Sequence, residues 1–177
     1  MAMNQAMQVL TSQGTVEWYT PPHVIERARQ ALGGIDLDPA SNDVAQRWIR
    51  AGTYYTADDL MSGLARPWFG RVWLNPPFDD TPTWVRRMCH AYAVGEISAG
   101  VLLVNSAPGY AWWEELWRLV PVVLLRERLR FIREDGTPGG QAKKGQTVAY
   151  CGADVARFAA AFEDLGRLVL PRPLTGP

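Results

Sequence analysis

Cysteine, histidine and lysine occur only twice each in this chain of 177 residues, and each scarcity excludes something. Cys89 and Cys151 form no C-x-x-C pair, and neither His23 nor His90 stands at metal-ligand spacing from them, so no metal centre is expected. Two lone thiols also offer no disulfide framework and fit a reducing compartment. There is no apolar run of the length that crosses a bilayer. The opening MAMNQAMQVLTSQG lacks a basic segment followed by an apolar one, so no export signal is expected. These absences predict a soluble, cytoplasmic protein with no membrane partner. Charge of one sign is lacking too: 18 basic residues balance 18 acidic ones. No global field attracts nucleic acid, and any such partner must be met by a local patch.

What is present alternates. TPPHVIERARQAL (20–32) predicts a helix capped by Thr20, with Pro21 at its first position and an apolar stripe of Val24, Ile25, Ala28 and Leu32. IDLDPAS (35–41) predicts a short strand ending in a proline turn. DVAQRWIRA (43–51) follows as a helix, TYYT (53–56) as a strand and ADDLMSG (57–63) as an acidic loop. RVWL (71–74) is a strand that stops at NPPF. TPTWVRRMCHAYAV (81–94) and YAWWEELWRLV (110–120) predict helices on either side of the buried strand AGVLLVNS (99–106). The tryptophans 112, 113 and 117 read as core packing rather than a base-stacking platform. PVVLLRERLRF (121–131) reads as one strand with a basic end, REDGTPGGQAKKG (133–145) as a loop, QTVAYCG (146–152) as a strand and DVARFAAAFEDLG (154–166) as a last helix. Strands alternating with helices predict a single α/β domain, a sheet flanked by helices, over residues 15–166. A loose arm (1–14) precedes it and a proline-rich, fraying tail (167–177) follows it. Ligands of such sheets sit at the carboxyl ends of the strands, where DLDPAS and NPPF both fall.

The NPPF stretch carries chemistry as well as punctuation. Asn75 precedes proline and is held extended, and Pro76 and Pro77 stiffen the chain and remove two donors. The result is a rigid edge with two acceptors, the Asn75 amide oxygen and the Pro76 carbonyl, beside the flat face of Phe78. An exocyclic amine on a planar ring matches that edge. Two acceptors drawing on its N–H bonds localise a lone pair that is otherwise delocalised into the ring, and this stabilisation is largest where charge develops.

With WYTPP (18–22), DLDPAS (36–41), DDL (58–60), WLNPPF (73–78) and the weaker RLRF (128–131) in this order, the chain resembles the phage-type DNA N6-adenine methyltransferases over roughly residues 17–150. The resemblance implies a Rossmann-like class I methyltransferase sheet and S-adenosylmethionine as cofactor. It implies that Thr20 and Pro21 line the methionine end of that cofactor, that Asp36 and Asp38 lie near its amino group and ribose with Pro39 shaping the turn, and that Asp58 or Asp59 accepts from its adenine. Asn75, Pro76, Pro77 and Phe78 become the catalytic loop. DNA is the implied partner, entered by flipping the target base out of the duplex. A bacterial host cell, with phage or prophage origin, is the implied setting. A monomer or a homodimer is compatible with the sequence. The turn after the first strand, DPASNDVA, lacks the glycines usual among methyltransferases.

In segment 126–144, Arg126, Arg128, Arg130, Arg133, Lys143 and Lys144 outweigh Glu127, Glu134 and Asp135. A mobile loop positioned on phosphates is one reading and a solvated loop the other. Three other functions compete with DNA methylation. A planar amine is also the acceptor when RNA adenine or protein glutamine is methylated. A module binding cofactor or DNA without turnover is another alternative. An Asp-x-Asp phosphatase fits poorly, because Ala40 stands where such enzymes want threonine or valine.

Overall fold

The computed structural model describes residues 18–57 and 59–171. Helix α1 (Pro22–Leu32) starts one residue later than its sequence signals suggest, with Pro21 at the cap, Pro22 inside the first turn and no side-chain cap. Two consecutive prolines fix the backbone entry angle without help from a hydroxyl, which frees Thr20 for another partner. Gly33, at φ 80°, ends the helix in the left-handed conformation. Strand β1 (Leu37–Ser41) leads to a single turn, α2 (Gln46–Ile49), rather than the longer helix expected over 43–51. Then come β2 (Thr53–Thr56), β3 (Arg71–Leu74), α3 (Thr81–Ala93), β4 (Ala99–Asn105) and α4 (Ala111–Leu119).

The second half departs further from expectation. The stretch expected as one strand over 121–131 breaks into β5 (Val122–Leu125) and β6 (Arg130–Ile132). The stretch expected as a loop contains β7 (Pro138–Gln141), which pairs antiparallel with β6. Strand β8 (Gln146–Cys151) and helix α5 (Val155–Phe162) follow as expected. Residues expected to begin the tail instead form β9 (Gly166–Val169), an edge strand antiparallel to β5. Pairing Val123 with Leu168 and Leu125 with Gly166 supplies the ladder bonds that a fraying tail would leave to water.

Seven strands form one mixed sheet in the order β2-β1-β3-β4-β8-β5-β9, and β6 and β7 form a separate ribbon. Strands β1 to β4 are mutually parallel, while β8 runs antiparallel between β4 and β5. Alternation along the strands divides the core. Trp73, Val101, Leu103, Val123 and Val148 meet α1 and α5 on one face. Val72, Leu74, Leu102, Val104 and Ala149 meet α3 and α4 on the other. Trp113 is buried, with Trp112 and Trp117 packed partly against this second cluster, in line with the core reading of that helix. Among the described residues no helix is long and apolar enough to cross a membrane.

Candidate active site

From β1 the chain winds outward to β2, whereas β3 and β4 lie on the other side of β1. This change of direction opens a crevice at the carboxyl ends of β1 and β3. A cavity of about 580 Å³ occupies it, walled by Trp18–Thr20, the end of β1 with the turn after it, and the loop from Asn75 to Asp79.

Register decides which side chains meet there. Leu37 pairs with Val72, so Asp38 and Trp73 are neighbours on the same face of the sheet and both border the cavity. Asp38 is 1% exposed. Gln46 Nε2 donates to its Oδ2 at 3.0 Å and the Ala40 N–H to its Oδ1 at 3.4 Å. Burial pushes its carboxyl up to about 7, against the opposing pull of hydrogen bonds from Ser41, Ala40 and Gln46. The indole Nε1 of Trp73 is also buried and has no partner among the described residues. A wholly buried acid without a cation, on the cavity lining, suits a ligand that brings an ammonium or hydroxyl group.

The NPPF loop, which continues from β3, lines the same cavity. The Asn75 amide donates from Nδ2 to Thr20 Oγ1 at 3.3 Å, leaving Oδ1 as its acceptor end. Pro76 is buried, and its carbonyl has no donor among the described residues. The Thr81 hydroxyl instead ties down the carbonyls of Pro77 and Phe78, at 3.1 and 3.4 Å. Phe78 itself is 62% exposed at the cavity rim, an arrangement that costs apolar hydration unless a flat partner covers the ring.

The structure therefore brings Thr20, Asp38, Asn75, Pro76, Pro77 and Phe78 to one cavity. Pro21, Asp36, Pro39 and Asp59 are not in its lining. Asp36 lies at the amino end of β1 and is gripped by Arg71, whose backbone N, Nε and Nη2 donate at 2.8, 2.7 and 2.7 Å. That grip holds its carboxyl below the usual range and staples β1 to β3. Gly70, at φ 63°, permits the close approach, because a Cβ there would collide with the Asp36 carboxylate. Asp59 closes the end of β2 by accepting from the Thr56 N–H at 2.8 Å and pairing with Arg66. Arg66 in turn lies 3.9 Å over the Tyr55 ring. Asp58 lies outside the described residues.

The basic segment is a hairpin rather than a free loop. Tyr19 and Ile132 exchange two backbone hydrogen bonds of 2.9 Å, which ties β6 to the cavity wall. The Trp18 ring lies so close over Gly139 that any Cβ at that position would strike it. Of the basic side chains, Arg126 donates to the Asp164 carbonyl, Arg128 to Gln141, and Arg133 to Thr137 and the Pro138 carbonyl. Arg130, Lys143 and Lys144 have exposed charged ends with no partner among the described residues. Arg126, Arg128 and Arg130 share a groove of about 630 Å³ with His23, Glu127 and Asp164.

Sequence reasoning missed Trp18, Ser41, Gln46 and Trp73 as parts of this cavity and its support. Trp18, Ser41 and Trp73 stood inside the motifs WYTPP, DLDPAS and WLNPPF without a role of their own, and Gln46 carried no local signal.

A mixed seven-stranded sheet with helices on both faces, and a crevice walled by a buried acid on one strand and an acceptor-rich proline loop after the next, define an α/β domain. The chain belongs to the DNA N-6-adenine-methyltransferase (Dam) family, whose model matches residues 9–151. No curated protein matches it. The family's activity is methylation of adenine in DNA. Among the described residues no cluster of His, Cys, Asp and Glu is suited to hold a metal.

Proposed function

We propose that this chain methylates the N6 amino group of adenine in DNA, using S-adenosylmethionine and the NPPF loop, on a flipped-out base. The observation that carries this reading is the orientation of the Asn75 amide. Its Nδ2 end is taken by Thr20, which leaves its oxygen as an acceptor on a residue that lines the cavity together with Pro76, whose carbonyl is unengaged, and the exposed Phe78 ring. The sheet supports a class I methyltransferase fold, with β1 to β5 mutually parallel, β8 inserted antiparallel between β4 and β5, and β9 antiparallel at the edge. The cavity volume and the buried Asp38 acceptor fit the cofactor. Asp38 would hold its polar end and Thr20 would border it. When bound, the cofactor supplies an electrophilic methyl group.

The chain's own residues supply the rest. Asn75 Oδ1 and the Pro76 carbonyl accept the two amino protons of the base, which concentrates electron density on nitrogen without a strong base. Phe78 stacks on the base, an interaction worth about 1–3 kcal/mol. A duplex base reaches this edge only when extruded, at a cost of a few kcal/mol.

Transfer of labelled methyl from S-adenosylmethionine to duplex DNA, total RNA and mixed protein, run in parallel, tests the reading. N6-methyladenine is expected in the DNA digest. Label confined to RNA or protein would move the acceptor there, and cofactor binding with no label anywhere would leave a binding module.

The hairpin is the proposed phosphate-binding surface. Replacing Arg130, Lys143 and Lys144 by glutamine should weaken DNA binding and flatten its salt dependence by about one unit of slope for each phosphate no longer neutralised. Affinity measured between low and moderate salt checks this. An unchanged slope would leave the three charges as a solvated surface.

A further inference from the structure

We propose that Gln46 is a positioning residue that aims the Asp38 carboxylate at the cofactor, a role that rests on the cofactor-binding reading above. The amide of Gln46 has no freedom of orientation. Its Oε1 accepts the Ala51 backbone N–H at 2.9 Å, so the Nε2 end must point back toward β1. There its two hydrogens are divided, one to Asp38 Oδ2 at 3.0 Å and one to Ser41 Oγ at 2.8 Å. Because Ser41 Oγ accepts from Gln46, its own proton is left for the neighbouring Asp38 carboxylate, whose charged form the serine favours. One amide thus supports the acid twice, directly and through a serine.

The charged and titratable groups on the surrounding elements are engaged elsewhere. On α2 and just past it, Arg47 turns to Glu134 at 3.9 Å and Arg50 to Glu26 at 3.4 Å. Tyr54, paired with Asp38 on β2, gives its hydroxyl to Asp43 at 2.8 Å. Tyr19 and Asp79 border other walls of the cavity. No cation among them supports the carboxylate, and Gln46 and Ser41, with the Ala40 N–H, are what oppose the effect of burial on it.

The test compares wild type with Gln46→Met, which removes both donors, and Gln46→Glu, which keeps the acceptor for Ala51 but turns an acid toward Asp38. The ratio of variant to wild-type dissociation constants for S-adenosylmethionine is followed between about pH 6 and 9, where the ligand's own ionisation cancels. In parallel, the Asp38 carboxyl is titrated by carbon-13 NMR in the ligand-free proteins. Both variants should bind at least about tenfold more weakly near pH 7, with the loss shrinking as pH rises and the carboxyl midpoint displaced upward. A loss independent of pH, or none, with the midpoint unmoved, would overturn the proposal. Should Gln46→Met fail to fold, Gln46→Glu carries the comparison. Wild type that binds no cofactor would sink the functional reading instead, while the ligand-free titration would still score Gln46.

Discussion

Asn75→Ala is expected to lower methyl transfer by a factor of about 1,000 or more while leaving the dissociation constant for S-adenosylmethionine within about threefold of wild type. The first number follows from what the side chain is placed to do. Its oxygen is one of two acceptors for the amino group, and removal of one preorganised hydrogen-bonding group at a reacting centre costs about 10²–10³ in rate. The second acceptor cannot compensate, because the Pro76 carbonyl is fixed by the proline on either side of it, and a base held by one bond is free to swing away from the line of attack. The binding number follows from where the residue is not. Asp38, the group that fits a cofactor's positive end, stands on β1, and Asn75 begins the loop that follows β3. Thr20 gives up only a 3.3 Å hydrogen bond on the substitution. Single-turnover transfer and cofactor titration on the same preparation separate the two effects. Equal loss of both would mean that Asn75 holds the cofactor or the fold, and residual activity above about a tenth would remove it from the chemistry.

The parts of this molecule that were legible in its sequence are those specified by neighbours along the chain. NPPF dictates its own rigidity, so the acceptor edge could be read from four letters. The buried strands over 99–105 and 146–151 and the helices at 81–93 and 155–162 follow from apolar periodicity. What escaped depends on register between distant segments. DLDPAS presents two aspartates that look equivalent, and only the pairing of β1 with β3 reveals that Asp36 meets Arg71 while Asp38 enters the crevice. Gln46 looks like one more polar residue on a short helix, because its three partners are set by how that turn packs back on β1. The hairpin over 130–141 was hidden because Glu127 and Arg128 interrupt what composition shows as a continuous strand. The last strand was hidden because its pairing partner lies some forty residues earlier, and prolines nearby suggest a tail.

The hairpin and the NPPF loop are also joined in a way that neither reveals alone. Tyr19 is hydrogen-bonded to β6 and Thr20 to Asn75, so adjacent residues of one short segment touch the basic surface and the proposed reacting edge. A hairpin seated on phosphates would then be in register with the loop that receives the base, without a separate recognition domain to align the two.

Asp38→Asn should make the ligand-free protein more stable at pH 8 and a poorer binder at once. The wild-type carboxyl is raised from 3.8 to about 7 by burial. The folded state therefore holds a proton that the unfolded chain has already lost between those two values. The contribution to stability is fully present below about pH 4 and is lost as pH rises through 7, a swing of about 4 kcal/mol. Asparagine has no charge to desolvate and so lacks this decline, though it turns one amino donor toward a group that donates, at a cost of about 1 kcal/mol. The net gain at pH 8 should be about 2–3 kcal/mol, turning into a loss of about 1 kcal/mol near pH 4, as read by urea unfolding across the range. Cofactor affinity should meanwhile fall by about 10- to 100-fold, the worth of a charge-assisted hydrogen bond. The two effects have one origin: a carboxylate buried without a cation is strained until a ligand supplies one, and the strain is what makes the ligand's positive group bind. An asparagine variant destabilised equally at pH 5 and pH 8 would show that Asp38 is a structural acceptor carrying no such strain, and the fit of the cavity to a cationic ligand would then have to rest on some other group.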